Sequence, residues 1–251
     1  MDADKLKDGL DALVENSNLK LKDNLKAIFM FGSGNHLEDF IPNLSDLDFL
    51  YILGSINYDS LQNIKSIRND ASNKLKIKID IKPFSLDEYI NGIQGKSSFE
   101  FFTGWGLEMI KRGEQKCIYN TGEVPLDYEV DSNRLKKDSL ERAHYYITKL
   151  RKIFSTDEAR ILRGTYTILN EQDNLKMVSS SIKNVLAVCL AYKGIIANRY
   201  YNVLEKSEDV FGDIEEFSNL FQAKKELRYN LKLIIAAYNK IEQIYQGVIN
   251  E

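Results

Sequence analysis

Two aspartates two residues apart, Asp46 and Asp48, stand at the head of the apolar run Leu47 to Leu53, and an earlier apolar run, Leu25 to Phe31, ends in Gly32-Ser33. Alternate side chains of an extended chain share a face, so the two carboxylates are aimed to one side. Two hard oxygen ligands at one point suit Mg²⁺ held jointly with substrate phosphates. Such a metal neutralises charge on a triphosphate and activates an attacking oxygen. A glycine directly after a strand lets the backbone turn sharply and approach a phosphate, and the following amides, with the Ser33 hydroxyl, can donate to its oxygens. A third carboxylate is wanted to place the metal that serves the nucleophile. Asp80 is the best candidate, because it lies on the polar side of the alternating segment Leu75 to Phe84, in which Leu75, Ile77, Ile79 and Ile81 point one way and Lys76, Lys78, Asp80 and Lys82 the other. Asp87 and Glu88 are poorer candidates, since Ser85-Leu86-Asp87-Glu88 already reads as a helix-starting capping box.

The elements that must position these residues alternate between helical and strand patterns in the first half of the chain. Leu6, Leu10, Leu13 and Val14 fall at helical spacing ahead of the strand Leu25 to Phe31. A polar helix carrying Leu61, Ile64 and Ile67 follows the strand Leu47 to Leu53. A short helix from Gly34 to Phe40 would take up the long link between Ser33 and Asp46. Two helices are expected from the boxes at Ser85 and at Ser97-Ser98-Phe99-Glu100, the second stopping near Gly113, with Cys117-Ile118-Tyr119 as a last strand. Asn120 to Pro125 supplies turn residues, and beyond them strand character nearly disappears. The expected organisation is therefore α+β: residues 1–125 as a mixed sheet flanked by helices, then residues 126–251 as an all-α bundle. Its helices are expected near 132–153, 157–169, 174–193, 200–210 and 223–248, with Gly194 as a C-cap.

Composition narrows the function classes. A net charge of -3 offers no excess of Lys or Arg for tracking a long nucleic acid, which disfavours that partner. No apolar stretch approaches the roughly 18 residues that span a bilayer, and the acidic start Met1-Asp2-Ala3-Asp4-Lys5 does not read as a signal peptide. Cys117 and Cys189 lack metal-ligand spacing, and His36 and His144 are the only histidines. These features point to the cytoplasm, with no membrane partner and no zinc site. They leave homodimerisation open.

Gly32-Ser33, Asp46-Leu47-Asp48 and Asp80 resemble the G-S, D-x-D and third Asp of the DNA polymerase β-like nucleotidyltransferase superfamily. Within it the chain is similar to the antibiotic (aminoglycoside and lincosamide) nucleotidyltransferases and the minimal nucleotidyltransferases. Gly106 to Gly113 with Cys117-Ile118-Tyr119 resembles the helix and last strand that close that domain, and the C-terminal helices resemble the HEPN-like substrate-binding bundles of the antibiotic enzymes. The resemblance implies a mixed sheet flanked by helices, and Mg²⁺ on Asp46, Asp48 and Asp80. It implies a nucleoside triphosphate, ATP above others, near Gly32 and Ser33, and a small-molecule acceptor whose hydroxyl receives the nucleoside monophosphate. The acceptor would be bound between the two domains. Many relatives carry an arginine just after G-S; Gly34-Asn35-His36 stands here, so basic help for the triphosphate must come from elsewhere.

Other readings compete. A protein- or tRNA-nucleotidylating enzyme of toxin or antitoxin type would use the same residues, and a nucleotide-binding regulatory module without turnover would keep the fold. A HEPN ribonuclease motif is not formed, since Arg142 lies only two residues before His144. The pattern of a P-loop is absent. Ser179-Ser180-Ser181 with Lys183 is better explained by close helix packing than by a Ser-Lys nucleophile, and His144, beside Tyr145 and Tyr146 on an amphipathic helix, by a partly buried packing role rather than a substrate contact. Phe99, Phe101, Phe102 and Trp105 have helical spacing and are expected as core between the domains.

Overall fold

The structure, a computed structural model, describes the chain except residues 1–2, 36–39, 41–44, 97–99, 156–159, 163–164 and 168–170. The side chains of residues 3–5, 33–34, 100, 160–162, 165–167 and 171–174 also lie outside the description. The chain divides into two units, Met1–Val130 and Asp131–Glu251, of an α+β fold.

In the first unit, four strands form a mixed sheet: β1 (Leu25–Phe31), β2 (Leu47–Leu53), β3 (Ile79–Ser85) and β4 (Lys116–Asn120), in spatial order β3-β2-β1-β4. The central pair β1 and β2 is antiparallel, β4 joins β1 antiparallel, and β3 joins β2 parallel. Parallel pairing needs a crossover, supplied by α2 (Tyr58–Leu75). Central strands covered on both faces must be apolar on both faces, which is why β1 and β2 read as near-continuous apolar runs.

One face is aliphatic. Leu25, Ile28, Met30, Leu47, Phe49, Leu53, Ile79 and Ile81 pack against Leu6 and Leu13 of α1 (Ala3–Leu21) and Ile64, Ile67 and Ala71 of α2. Its buried polar group is satisfied internally: the Ser17 hydroxyl donates to the Leu13 carbonyl at 2.7 Å, so the Tyr51 hydroxyl must donate to Ser17 at 2.8 Å. The other face is aromatic. Phe29, Leu50 and Ile52 pack against Tyr89 of α3 (Leu86–Ile93), Phe102, and Leu107 and Ile110 of α4 (Gly104–Lys111).

Local signals explain most boundaries. Asn57 caps α2 in a reciprocal box with Ser60, and Ser85 with Glu88 forms the expected box at α3. The strand expected from Leu75 begins instead at Ile79. Leu75 completes α2, where it packs on the aliphatic core in the space a Cβ on Gly9 would need, and Lys76 turns the chain at φ +57°. The box expected at Ser97 falls outside the described residues. The helix that follows starts later, at Gly104, where Thr103 Oγ1 accepts from the Gly106 amide at 3.2 Å. Phe102 and Trp105, expected as core between domains, are buried in the first unit, and Phe102 and Phe101 pack on its aromatic face.

The second unit is helical, with α5 (Ser132–Ser155), α6 (Glu171–Tyr192), α7 (Tyr200–Phe211), α8 (Glu215–Lys225) and α9 (Leu231–Ile249). Gly194 ends α6 as expected, at φ +82°, with the Ile195 amide bonded to the Leu190 carbonyl and the Gly194 amide to that of Ala191. Two expectations are corrected. Where a helix was expected over 157–169, the described residues are strands: Arg160–Leu162 (β5) and Thr165–Thr167 (β6) pair antiparallel. The β-branched and aromatic residues Ile161, Thr165, Tyr166 and Thr167 favour a strand there, and only Arg163-Gly164 separates the pair. The single helix expected over 223–248 is two, α8 and α9. Leu227 at φ +52° breaks the path, and Asn230 caps α9 by accepting from the Leu233 amide at 3.2 Å. Among the described residues no helix is long and apolar enough to cross a membrane.

Candidate active site

The sheet registers bring the predicted residues together. Asp48 on β2 is paired with Phe31 on β1 and with Asp80 on β3, so these three positions form one row across three neighbouring strands. Registered residues on parallel strands share a face. Here it is the aromatic face, since Leu50 and Ile52 lie on it and Ile79 and Ile81 lie on the other. Asp48 and Asp80 are therefore direct neighbours on strands about 4.8 Å apart. Asp46 lies two residues before Asp48, just ahead of the first paired residue, Leu47, whose amide donates to the Lys78 carbonyl at 3.0 Å.

The Gly32 turn meets this row directly. Gly32 has φ +71°, and a Cβ built on it would lie 2.9 Å from Asp48 Oδ2. Glycine is needed twice over, for the backbone angle and for the close approach of the turn to a carboxylate. A 3₁₀ turn over Gly32–Asn35 follows; residues 36–39 of the helix expected from Gly34 to Phe40 lie outside the described residues. Asn35 Nδ2 fastens it by donating to the Glu114 carbonyl at 2.8 Å, in the connection between α4 and β4. The backbone of Ser33 belongs to this turn. The Ser33 hydroxyl and His36 lie outside the described residues.

Each flanking acid has a lysine nearby. Lys78 Nζ lies 3.3 Å from Asp46 Oδ2, and Lys82 Nζ 4.0 Å from Asp80 Oδ2. Asp46 and Asp80 are partly buried, at 23% and 22% exposure, so both remain reachable from solvent. Among the described residues, no three His, Cys, Asp or Glu side chains close on one point as a preformed metal cage would. Mg²⁺ does not require such a cage, because one or two carboxylates with waters and substrate phosphates satisfy it. The donor chemistry of Asp46, Asp48 and Asp80 fits that ion.

Beneath the row, Tyr89 and Tyr128 are excluded as bases. The Tyr89 hydroxyl donates to the Pro125 carbonyl and that of Tyr128 to the Leu107 carbonyl, each at 2.9 Å. Burial pushes both phenols up, Tyr128 to about 12, so they stay protonated. Burial likewise raises the Cys117 thiol, leaving it a poor nucleophile. Trp105 is 8% exposed and its indole N–H has no hydrogen-bond partner among the described residues.

In the second unit, the Ser-Lys nucleophile reading gains no support. Ser179 is fully buried and its hydroxyl donates to the Leu175 carbonyl at 2.6 Å, a helix back-bond. Lys183 Nζ donates to Asn198 Oδ1 at 3.0 Å. His144, expected as a partly buried packing residue, is exposed, with its Nδ1 2.8 Å from the Tyr245 hydroxyl of α9.

No family model matches the sequence, and no curated protein matches it. Among solved structures, the chain is similar to a crystal structure of spectinomycin adenyltransferase AAD(9) from Enterococcus faecialis with ATP and spectinomycin. The TM-score is 0.52 and the identity 16%, over 94% of this chain and 99% of that one. The chain shares its fold with that protein. The fold expected from Gly32-Ser33, Asp46-Leu47-Asp48 and Asp80 is thus the fold found. Sequence reasoning missed one member of the neighbourhood, Phe31. Its Phe-Gly-Ser context read only as a strand end, and its alignment with Asp48 and Asp80 depends on strand order.

Proposed function

We propose that this protein is a Mg²⁺-dependent nucleotidyltransferase that moves a nucleoside monophosphate, AMP from ATP, to a hydroxyl of a small acceptor. The observation that carries this reading is the row of Asp48 and Asp80 with the Gly32 turn pressed against Asp48. ATP as co-substrate and a small antibiotic-like acceptor are taken from the structural neighbour, which was solved with ATP and spectinomycin.

In this reading residues 1–125 are the nucleotidyltransferase domain and residues 126–251 provide acceptor recognition. Backbone amides after Gly32, with Ser33, bind the phosphates. Asp46 and Asp48 would hold the metal with the triphosphate, and Asp80 would complete its ligands on the acceptor side. The metal would supply charge neutralisation along the triphosphate and polarisation of the attacked phosphorus. The acceptor oxygen forms a bond to the α-phosphorus, the bond from that phosphorus to the bridging oxygen breaks, and pyrophosphate leaves. The hydroxyl proton passes to the Asp80 carboxylate, the acid next to Asp48 across the sheet. A partly buried setting strengthens each of these electrostatic contacts relative to water.

Incubation with labelled ATP, Mg²⁺ and pooled hydroxyl-bearing acceptors should release pyrophosphate and label an acceptor. Asp48→Asn should lower that rate by about a thousandfold or more while the protein stays folded. Absence of pyrophosphate with every nucleoside triphosphate and acceptor pool would reject the enzyme reading, and tight ATP binding in the same protein would then identify a binding module.

A further inference from the structure

A nucleoside triphosphate brings up to about four negative charges to a face that already carries Asp46, Asp48 and Asp80, while the turn Gly32-Ser33-Gly34-Asn35 contributes no cationic side chain. A nearby ammonium would offset that repulsion. We propose that Lys82 is the triphosphate-binding cation of this site, an inference that rests on the nucleotidyl-transfer reading.

Lys82 follows Asp80 by two residues on β3 and so shares its face. Its Nζ lies 5.0 Å from the centre of the Phe31 ring and 4.9 Å from that of Phe101. Phe31 belongs to β1, two strands from β3. The lysine stem therefore leans across β2 and carries its ammonium toward the row Phe31, Asp48 and Asp80. Phe31 is also the residue directly before Gly32, which brings the charge to the base of the turn assigned to the phosphates. The charge thus lies beside the acidic row, 4.0 Å from Asp80 Oδ2, and against the ring of the residue that precedes the turn.

Its manner of fixation suits this role. The Phe31 and Phe101 rings pack edge-on with centres 4.9 Å apart, and Phe84 backs Phe101 at 6.0 Å. Ring quadrupoles attract a cation without cancelling its charge. The ammonium is held in place yet keeps its field, and the Lys82 side chain is 37% exposed, which leaves it accessible to a ligand. Lys78 differs: it is 71% exposed and no aromatic ring holds it among the described contacts. Lys26 is committed to Glu123 at 2.6 Å. A purely structural lysine, covering apolar rings and balancing Asp80, would show the same packing, so the test must read phosphate recognition itself.

Calorimetric titration of the full chain with ATP and separately with adenosine, both with Mg²⁺, supplies that readout. Lys82→Met, which keeps an apolar stem against the rings, should weaken ATP by about tenfold to a hundredfold and leave adenosine within about twofold. Lys82→Arg should restore most of the loss, and added salt should weaken ATP more in the wild type than in Lys82→Met. Lys82→Gln serves as a second variant if the methionine form melts early. ATP affinity within about threefold of wild type in either neutral variant would overturn the proposal. An equal loss of ATP and adenosine in folded protein would overturn it too, by showing that the lysine only supports the fold. A wild-type protein that binds no nucleoside triphosphate would fail earlier, at the nucleotidyl-transfer reading.

Discussion

Acid–base pairs occur in both units, with different geometries. In the helical unit, Arg151 of α5 grips Glu242 of α9 through two bonds, at 2.8 and 2.9 Å, and the Tyr238 hydroxyl adds a third at 2.8 Å. In the sheet unit, Lys78 and Lys82 bring their ammonium groups to Asp46 and Asp80, at 3.3 and 4.0 Å. A planar guanidinium matched to both carboxylate oxygens fixes two helices in register, and little is gained by exchanging it. A lysine is a single point charge on a flexible stem, and a carboxylate facing it at 3.3 to 4.0 Å can turn its oxygens to another cation. The first arrangement suits structure and the second suits ligand exchange, although both are acid–base pairs with partly buried carboxylates.

The contrast can be broken most forcefully at Gly32. Gly32→Ala forces a side chain into φ +71° and against Asp48 Oδ2. The backbone strain is about 1–2 kcal/mol, and the displaced carboxylate should cost transfer activity about tenfold to a hundredfold. Pyrophosphate release measured beside a thermal melt separates the two effects. Near-normal turnover would mean that the turn and Asp48 do not work together.

A middle-sized effect is expected at Arg151. Arg151→Met should destabilise the protein by about 1–2 kcal/mol in denaturant titration, without changing affinity for ATP. The pair also predicts a pH dependence. Hydrogen bonds from Arg151, and then from Tyr238, hold the Glu242 carboxyl below its usual range. An acid depressed in the folded state contributes fully above its unfolded value of about 4.3 and loses that contribution as pH falls through the lower folded value. Melting temperatures followed downward from about pH 6 should therefore drop below about pH 4, and Glu242→Gln should remove that part of the slope. An unchanged slope would show that the network is not what joins α5 to α9.

The smallest effect belongs to Lys78. Its exposed pairing with Asp46 should contribute under about 0.5 kcal/mol, so Lys78→Met should leave the melt almost unmoved. A loss comparable to that of Arg151→Met would erase the distinction between the two kinds of pair.

The residues of the candidate site were legible because their spacing is local. Gly32 after an apolar run, and Asp46 with Asp48 flanking Leu47, carry their meaning in spacing alone, and the Ser85 box announces α3 without help from the rest of the chain. Non-local features were not legible. The alternation from Leu75 to Phe84 suggested strand from its first residue, yet packing of Leu75 beside Gly9 keeps that residue in α2. Residues 157–169 were assigned to a helix because six residues of strand, split in two by Arg163-Gly164, are too short to outweigh helical surroundings. The break at Leu227 left no turn glycine or proline to mark it, only the later cap Asn230.

By itself the sequence singled out the candidate groups and the caps and turns beside them, since side-chain type, capping and period depend on neighbours along the chain. Only the tertiary structure decided that Asp80 stands beside Asp48 and that Phe31 closes the same row. Only it showed that Lys82 reaches across to that row. Strand order and register are set by the packing of two sheet faces against α1, α2, α3 and α4, and no spacing within a single strand contains that information.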